Sequence, residues 1–358
     1  MNSLERVTAV LQGKKPDILP VGPFVSNHAA YLCGIPLSKF YTNGKVMGET
    51  LYKAWEEYGY DIIFAQSDAY YIAEGMGLES IITDNNQLPV IKKQAITSLL
   101  DADKLRVPDP LKDGRMPVYL EAIDYLSSKI GDQVMIRGTG TGSFSLLSHL
   151  YSIGSLLMDI AEIQAGEEDD EDEDIKSLLK GYNECMDICL EAVIRFTTAE
   201  VEAGAKLVHY GDSLASINVI SPHIFRNYVY PYIKKYYEAM KPVLKKNNAF
   251  SVIHCCGNNT AVLDEYASSG ADIYELDYAV DLKYAKERIG SKICILGNID
   301  PAAMVQESET ALQMLYEEAV NTGAPGGGFI LGSGCEVGMY TPPKNIKAMV
   351  EVGHRYKY

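Results

Sequence analysis

The sequence predicts an α/β chain folded as a (β/α)8 TIM barrel, with an insertion after the second strand and extra helices after the third. Three observations carry this prediction. Eight short β-branched runs alternate with helical stretches along the chain. Several runs follow the same hand-over, a helix ending in Gly and a small residue, as in EAGAKLVHY, SSGADIYEL and RIGSKICIL. A C-capping glycine passes a chain to a buried parallel strand in this way. Polar or Gly-rich clusters follow the C-terminal ends of the runs, the face on which a barrel assembles its site.

The N-terminal stretch places Leu4, Val7 and Leu11 at i, i+3 and i+7, the spacing of an amphipathic helix. Glu5 and Arg6 interrupt its apolar character, so it is not a signal peptide. Strands are expected at 17–23, 61–66, 133–138, 206–210, 250–255, 272–277, 292–296 and 328–333. A barrel needs about 250 residues, which leaves roughly 100 of the 358 for decoration. Part of that lies in 67–132, where ESIITDNNQLPVIKK reads as a hairpin turning at Asn85-Asn86. Stretch 143–203 holds the rest. No Pro/Gly/Ser-rich linker divides the chain, so residues 1–358 are expected to form one domain.

Charge narrows the choice of partners. The chain carries 32 Lys+Arg against 48 Asp+Glu, a formal net charge of −16. Half of it is one run, 167–174 (EEDDEDED), just before a helix expected to begin near Ile175, where acids favour the helix dipole. That run reads as solvated surface, with docking to a partner protein as the alternative. Without a basic face the chain is not a nucleic-acid or anionic-membrane binder, and no window approaches the ~18 apolar residues of a membrane span. Its seven cysteines (33, 185, 189, 255, 256, 294 and 335) are an odd number without a secretion signal. They read as reduced thiols of a cytoplasmic protein, to be weighed as metal ligands.

His254 and Cys256 are one residue apart at the end of a strand, so both point to the same side and can converge on one ion. Cys255 points the other way, into packing. Cys335 follows the eighth run and, in a closed barrel, can lie across the mouth from them. Two thiolates and an imidazole suit Zn2+ with a fourth position open, a catalytic rather than a structural site. On spacing alone, buried thiols and a core histidine are the commoner reading. Asp277 closes the sixth run and can supply an exchangeable oxygen to the ion, with Glu275 the second choice; a helix N-cap is the plainer reading of Asp277. Such an electron-rich site suits transfer of an alkyl group to or from O or S, and the HExxH of hydrolytic zinc sites is absent. Asp212 and Asn298 are candidate polar groups of the pocket, or else helix caps. Tyr31, Tyr70, Tyr71, Tyr210 and Tyr340 lie near the mouth loops and can form an aromatic wall.

At these residues the chain resembles a known family. RVTAVLQGKKPDILPV, EEYGYDIIFAQSDAYYIAEGMG, YGDSLASINVISPHIFRNYVYPY, IHCCGNNTAVLDEYASSGAD, ILGNIDP and GGGFILGSGCEVGMYTPPKNI carry the likeness, and HxCGN with the late GSGC is its specific part. The chain resembles the uroporphyrinogen decarboxylase superfamily and, within it, the zinc-dependent, corrinoid-linked methyltransferases. That resemblance implies a (β/α)8 barrel with zinc at its C-terminal mouth, held by His254, Cys256 and Cys335. It implies that Asp277 falls near the carboxylate that leaves the metal when substrate arrives. It also implies a separate corrinoid protein as partner, with methyl passing between cobalt and a small methylated substrate or thiol acceptor. A homodimer is compatible with this reading. Gly138, Gly140 and Gly142 form GTGTG, which lacks the Lys and the spacing of a phosphate loop and is expected to let backbone approach substrate or corrinoid.

Two features depart from the pattern. Residues 16–38 contain no Lys or Arg, and Arg6 is the sole arginine of the first 80 residues, too little charge to hold a polycarboxylate porphyrinogen. Decarboxylation is therefore the weaker alternative, although Asp68 follows the second run where an acidic centre can sit. A non-catalytic corrinoid- or tetrapyrrole-binding protein is the other alternative. The acidic insert has no counterpart in the family pattern.

Overall fold

The computed structural model describes residues 1–166 and 172–358. Nine strands are present among them: β1 (Ile62–Phe64), β2 (Glu79–Ile81), β3 (Val90–Lys93), β4 (Met135–Arg137), β5 (Leu207–Gly211), β6 (Phe250–His254), β7 (Ile273–Glu275), β8 (Cys294–Ile299) and β9 (Phe329–Ser333). Seven form one parallel sheet in the order β1-β4-β5-β6-β7-β8-β9, while β2 and β3 form a separate antiparallel pair. Each of the seven falls on an expected run.

The remaining run, 17–23, is not a regular strand. Only Val21 makes an isolated parallel bridge, to Leu331. Pro20 and Pro23 have no N–H to give a ladder, which accounts for the difference. The segment nevertheless bonds to both edges of the sheet. Gly22 N–H donates to Leu331 O (2.8 Å), Leu331 N–H to Pro20 O (3.0 Å), and Asp61 N–H to Val21 O (2.7 Å). The sheet is curled until its two edges share one piece of chain.

Strand alternation sorts side chains between the inside of the curl and the surrounding helices. Ile62, Met135, Leu207, Val252, Ile273, Cys294 and Ile330 pack inside with Val7 and Val10 of the helix Ser3–Leu11, which plugs one end. That helix is started by a capping box between Asn2 and Glu5. Outward residues such as Ile63, Ile136, Val208, Ile253, Tyr274 and Ile295 join the larger core beneath the helices. Two residues beyond the apolar plug, the inside positions become Phe64, Arg137, His209, His254 and Glu275, all buried. One end of the curl is sealed by hydrocarbon, and a polar layer faces the other.

The decoration sits after β1 and β4. Following β1 come the helix Tyr71–Gly75, the β2–β3 pair and a 3-10 segment Leu99–Lys104. The hairpin turn is wider than a two-residue turn. Asn86 is left-handed (φ 55) within loop 82–89, and its side-chain oxygen accepts from Leu37 N–H at 3.1 Å. Following β4 come the helices Ser143–Tyr151, Ile153–Gly166 and Glu173–Glu202. Of the acidic run, 167–171 lie outside the described residues. Asp172 caps the last helix by accepting from Asp174 N–H and Ile175 N–H (2.9 and 3.2 Å). Among the described residues no single helix is long and apolar enough to cross a membrane.

Closure of the curl rests on one buried carboxylate. Asp61 is fully buried, accepts from Arg6 Nη1 (2.6 Å) and Val21 N–H (2.8 Å), and faces His354 Nε2 at 2.8 Å. It ties the plug helix, the shared segment and the C-terminal helix Pro343–Arg355 together. Asp61→Ala takes the acceptor from Arg6 Nη1 and from the Val21 N–H, both buried, while Asp17 still pairs the rest of the guanidinium. The variant should lose about 3–5 kcal/mol of stability, measured by urea denaturation.

Candidate metal centre

β6 ends at His254, and two residues later Cys256 returns to the same side. His254 Nε2 lies 3.2 Å from Cys256 Sγ, and Cys256 Sγ lies 3.6 Å from Cys335 Sγ, which follows β9. The ligand atoms of the three all fall within 4.8 Å of one another. Cys255 points away and is buried, its thiol donating to Asp212 O at 3.1 Å. The rest of the HCCGNN segment explains itself locally. Gly257 turns the chain at φ 90, and buried Asn259 donates to the carbonyls of Cys255, Cys256 and Gly257 (2.9, 3.2 and 3.2 Å).

The imidazole is oriented from behind. His254 Nδ1 lies 3.1 Å from the Glu275 carbonyl oxygen, so Nδ1–H donates there and Nε2 faces the sulfurs. Glu275 is itself fixed by Arg137, whose Nη1 and Nη2 donate to Oε1 and Oε2 at 2.8 and 2.7 Å. The second of these nitrogens also donates to His209 Nδ1 (2.7 Å), and the guanidinium lies 3.8 Å from the Phe64 ring centroid. Burial opposes a charge on Glu275, but Arg137 outweighs it and holds the carboxyl below its ordinary range.

The three groups shift one another's proton affinities. The Cys335 thiol hydrogen-bonded to Cys256 lowers the latter to about 3, with burial opposing and His254 assisting. Cys335 is pushed up as the donor of that pair. Burial disfavours a charged His254, but Cys256 and Glu275 raise it to about 9. One nitrogen and two sulfurs converging on one point fit Zn2+.

Beside this group lies a cavity of about 290 Å³ whose wall includes Phe24, Asp68, Tyr70, His149, His209 and Glu336. Asp68 is held by Arg115 at 2.6 and 2.8 Å, and Glu336 Oε1 accepts from Ser26 Oγ and Asn27 N–H (2.5 and 3.0 Å). Burial keeps His149 neutral, lowered to about 4.

The other expected residues lie elsewhere. Asp277 is outside the ligand group; its carboxylate accepts from Ala279 N–H at 2.8 Å. Asn298 donates to the carbonyls of Asp277 (3.2 Å) and Val280 (2.8 Å) and lines a different cleft with Tyr278 and Asp300. Asp212 accepts from Ser145 N–H (2.7 Å) at the start of the helix Ser143–Tyr151, and burial raises it to about 6. The glycines of GTGTG give way to this chain's own atoms. A side chain at Gly138 would meet the Glu200 carboxylate at 2.8 Å, and one at Gly140 would overlap His209 O. Gly140 borders the cavity; Gly138 does not. Tyr70 is on the cavity wall, whereas Tyr71 and Tyr210 are buried on Thr139 and Ser143. Tyr31 and Tyr340 are exposed and meet edge to face at 5.1 Å.

Sequence reasoning did not find Arg137 or His209, nor the role of Glu275 as the partner of Arg137. Their signal was faint but present: charged and imidazole residues at inward positions of otherwise apolar strands, as in MIR and LVHYG.

With this geometry in place, comparison identifies the family. Residues 2–356 match the uroporphyrinogen decarboxylase (URO-D) family, and the chain belongs to it. More particularly, it is similar to the methylcobamide:CoM methyltransferase MtbA of Methanosarcina acetivorans, 29% identical over 308 residues (84% of this chain, 81% of the relative). The uroporphyrinogen decarboxylase of Carboxydothermus hydrogenoformans is 28% identical over 301 residues (83% and 79%). A solved methyltransferase from Methanosarcina mazei superimposes with a TM-score of 0.85, 26% identity and 99% coverage of both chains.

Glu200 gives a test of the wall beneath GTGTG. It is fully buried, its Oε1 accepts from Thr139 N–H at 2.7 Å, and burial raises it well above 4.5. A carboxyl with a raised folded pKa stabilises most below its unfolded pKa and loses that contribution as pH rises through the folded value. Glu200→Gln keeps the acceptor and cannot ionise. Its melting temperature should therefore gain on the wild type progressively from pH 5 to pH 9 by scanning calorimetry.

Proposed function

We propose that the chain is a zinc-dependent methyltransferase moving a methyl group between a small O- or S-methyl compound, such as a methoxy-aromatic, and the cobalt of a corrinoid carried by a separate protein. The observation that carries this reading is the convergence of His254, Cys256 and Cys335 within 4.8 Å at the wall of a cavity. Zn2+ bound by Nε2 and the two Sγ atoms would supply a Lewis acid of no net charge, able to keep a thiolate nucleophilic or to polarise an ether oxygen as a leaving group.

The chain's own residues do the rest. The Glu275 carbonyl keeps the proton of His254 on Nδ1, and Arg137 keeps Glu275 in place. Ser213 Oγ lies 3.4 Å from Cys256 Sγ and hydrogen-bonds to the sulfur. Phe24, Tyr70, Leu88 and Pro89 bring apolar surface to the cavity and exclude water from an in-line transfer. The corrinoid of the partner protein would supply or receive the methyl group, and a methyl passed to a thiol would be balanced by release of the thiol proton. Asp277 is proposed as the exchangeable fourth ligand; to reach the group it gives up its bond to Ala279 N–H. The fold is read as a single (β/α)8 barrel in which 17–23 takes the place of one strand. All seven cysteines are free, as in a cytoplasmic protein.

Decarboxylation finds less support. No Lys or Arg lines the cavity among the described residues, and the charge of Asp68 is taken up by Arg115. Metal analysis with methyl transfer from methylcobalamin to 2-mercaptoethanol tests the proposal, with uroporphyrinogen as a parallel substrate. About one zinc per chain and a zinc-dependent transfer are expected. Cys256→Ser and Cys335→Ser should each lose bound zinc and at least about a hundredfold in rate. Full activity in a zinc-free variant, or decarboxylation without methyl transfer, would overturn it.

A further inference from the structure

One imidazole on the cavity wall has its proton fixed by the fold and nothing to give it to. His209 lies on that wall and is almost completely buried. Its Nδ1 stands 2.7 Å from Arg137 Nη2, a nitrogen that donates and cannot accept. Nδ1 therefore carries no proton, and the ring keeps its one hydrogen on Nε2. Among the described residues the bond to Arg137 is the ring's single hydrogen bond.

Packing holds the ring in this orientation. Phe64 meets it edge to face at 4.9 Å, and the imidazole of His254 stacks on it at 6.3 Å. Gly211 leaves the outer nitrogen open, since a side chain there would stand 2.5 Å from Nε2. Gly211 borders the same cavity as His254, Cys256 and Cys335. In the β5–β6 register Gly211 lies opposite His254, so His209 stands one inward step deeper in the curl. Other polar groups of the wall are less defined. Arg115 takes up Asp68, and Ser213 Oγ turns to the Cys256 sulfur. His149 meets the Tyr70 ring at 5.0 Å, and no hydrogen bond among the described residues fixes which of its nitrogens bears the proton.

We propose that His209 is a substrate-binding residue that donates Nε2–H to the bound compound, so that the cavity takes a methyl compound or thiol carrying an oxygen acceptor beside its reacting heteroatom. An apolar ligand of the same shape would leave the buried N–H without an acceptor, the arrangement by which a polar site rejects an analogue. This deepens the methyl-transfer reading by naming a feature of its substrate, and takes from it only that the cavity is the substrate site.

Calorimetric titration of the zinc-loaded full chain with two matched thioethers tests it. 1-Methoxy-2-(methylthio)ethane accepts a hydrogen bond and cannot donate one, and 1-(methylthio)butane replaces its ether oxygen with a methylene. The ratio of the two affinities reads the acceptor contact apart from any general loss of binding. In His209→Phe, which keeps a ring and loses both nitrogens, the ratio should fall at least about fivefold in favour of the butane. His209→Gln keeps an acceptor for Arg137 and an N–H beside it, and should restore the ratio to within about twofold of the wild type. A ratio that His209→Phe leaves unchanged overturns the proposal, as does a failure of the wild type to bind either compound. Methyl transfer from methylcobalamin to 2-methoxyethanethiol and 1-butanethiol is measured separately. A His209-dependent ratio without transfer supports the binding role while removing the methyltransferase reading. Transfer with the same preference between the two thiols in the wild type and His209→Phe removes the binding role and leaves the reaction standing.

Discussion

The buried pair of Arg137 and Glu275 is the constraint on which the rest of the site depends. Both side chains are almost completely shielded, and they meet through two parallel bonds across the inside of the curled sheet, from β4 to β7. Burying two charges is costly, and only good geometry with further hydrogen bonds offsets it. Here the further bonds define the chemistry. Arg137 turns His209, while the backbone of Glu275 turns His254 so that Nε2 faces the sulfurs. The pair also explains why the Glu275 carboxylate is not one of the ligands: it is bound on both oxygens by a guanidinium that has no other anion.

The molecule divides the interior of its sheet along the strand axis. One level is hydrocarbon, sealed by Val7 and Val10 of the first helix. The next is ionic and imidazole, and beyond it stand Cys256, Cys335 and the cavity. A step of two residues along each strand moves from packing to chemistry, because alternate residues face the same side. The helices on the outside take the intervening residues and hold the curl closed, with Asp61 joining the two ends of the chain to its first strand.

Much of the site was legible because its residues act over short sequence distances or at strand ends. His254 ends a strand and Cys256 stands two residues on, so short-range backbone geometry suffices to bring them together. Cys335 was legible because parallel strands with helical crossovers bring every strand's C-terminal end to one face. The glycines of GTGTG, with Asp212 and Asn298, have the look of ligand contacts, and each also has a partner within its own chain, although Gly140 borders the cavity. Gly138 makes room for Glu200, Asp212 accepts from the helix at Ser145, and Asn298 holds the Asp277 loop. A glycine or a short polar side chain gives the same signal whether the atom approaching it belongs to a ligand or to the protein.

The sequence by itself determined the parallel α/β architecture, the placement of seven strands, the plug helix and the three candidate ligands. The strands and the first helix follow from periodicity and capping, which are local; the ligand set follows from strand-end placement together with the family resemblance. Tertiary structure alone decided that the proline-containing segment 17–23 bonds between the sheet edges without becoming a strand. It alone paired Arg137 with Glu275 across 138 positions. Each of these depends on which atoms arrive opposite one another once the sheet has curled, and no local pattern encodes that.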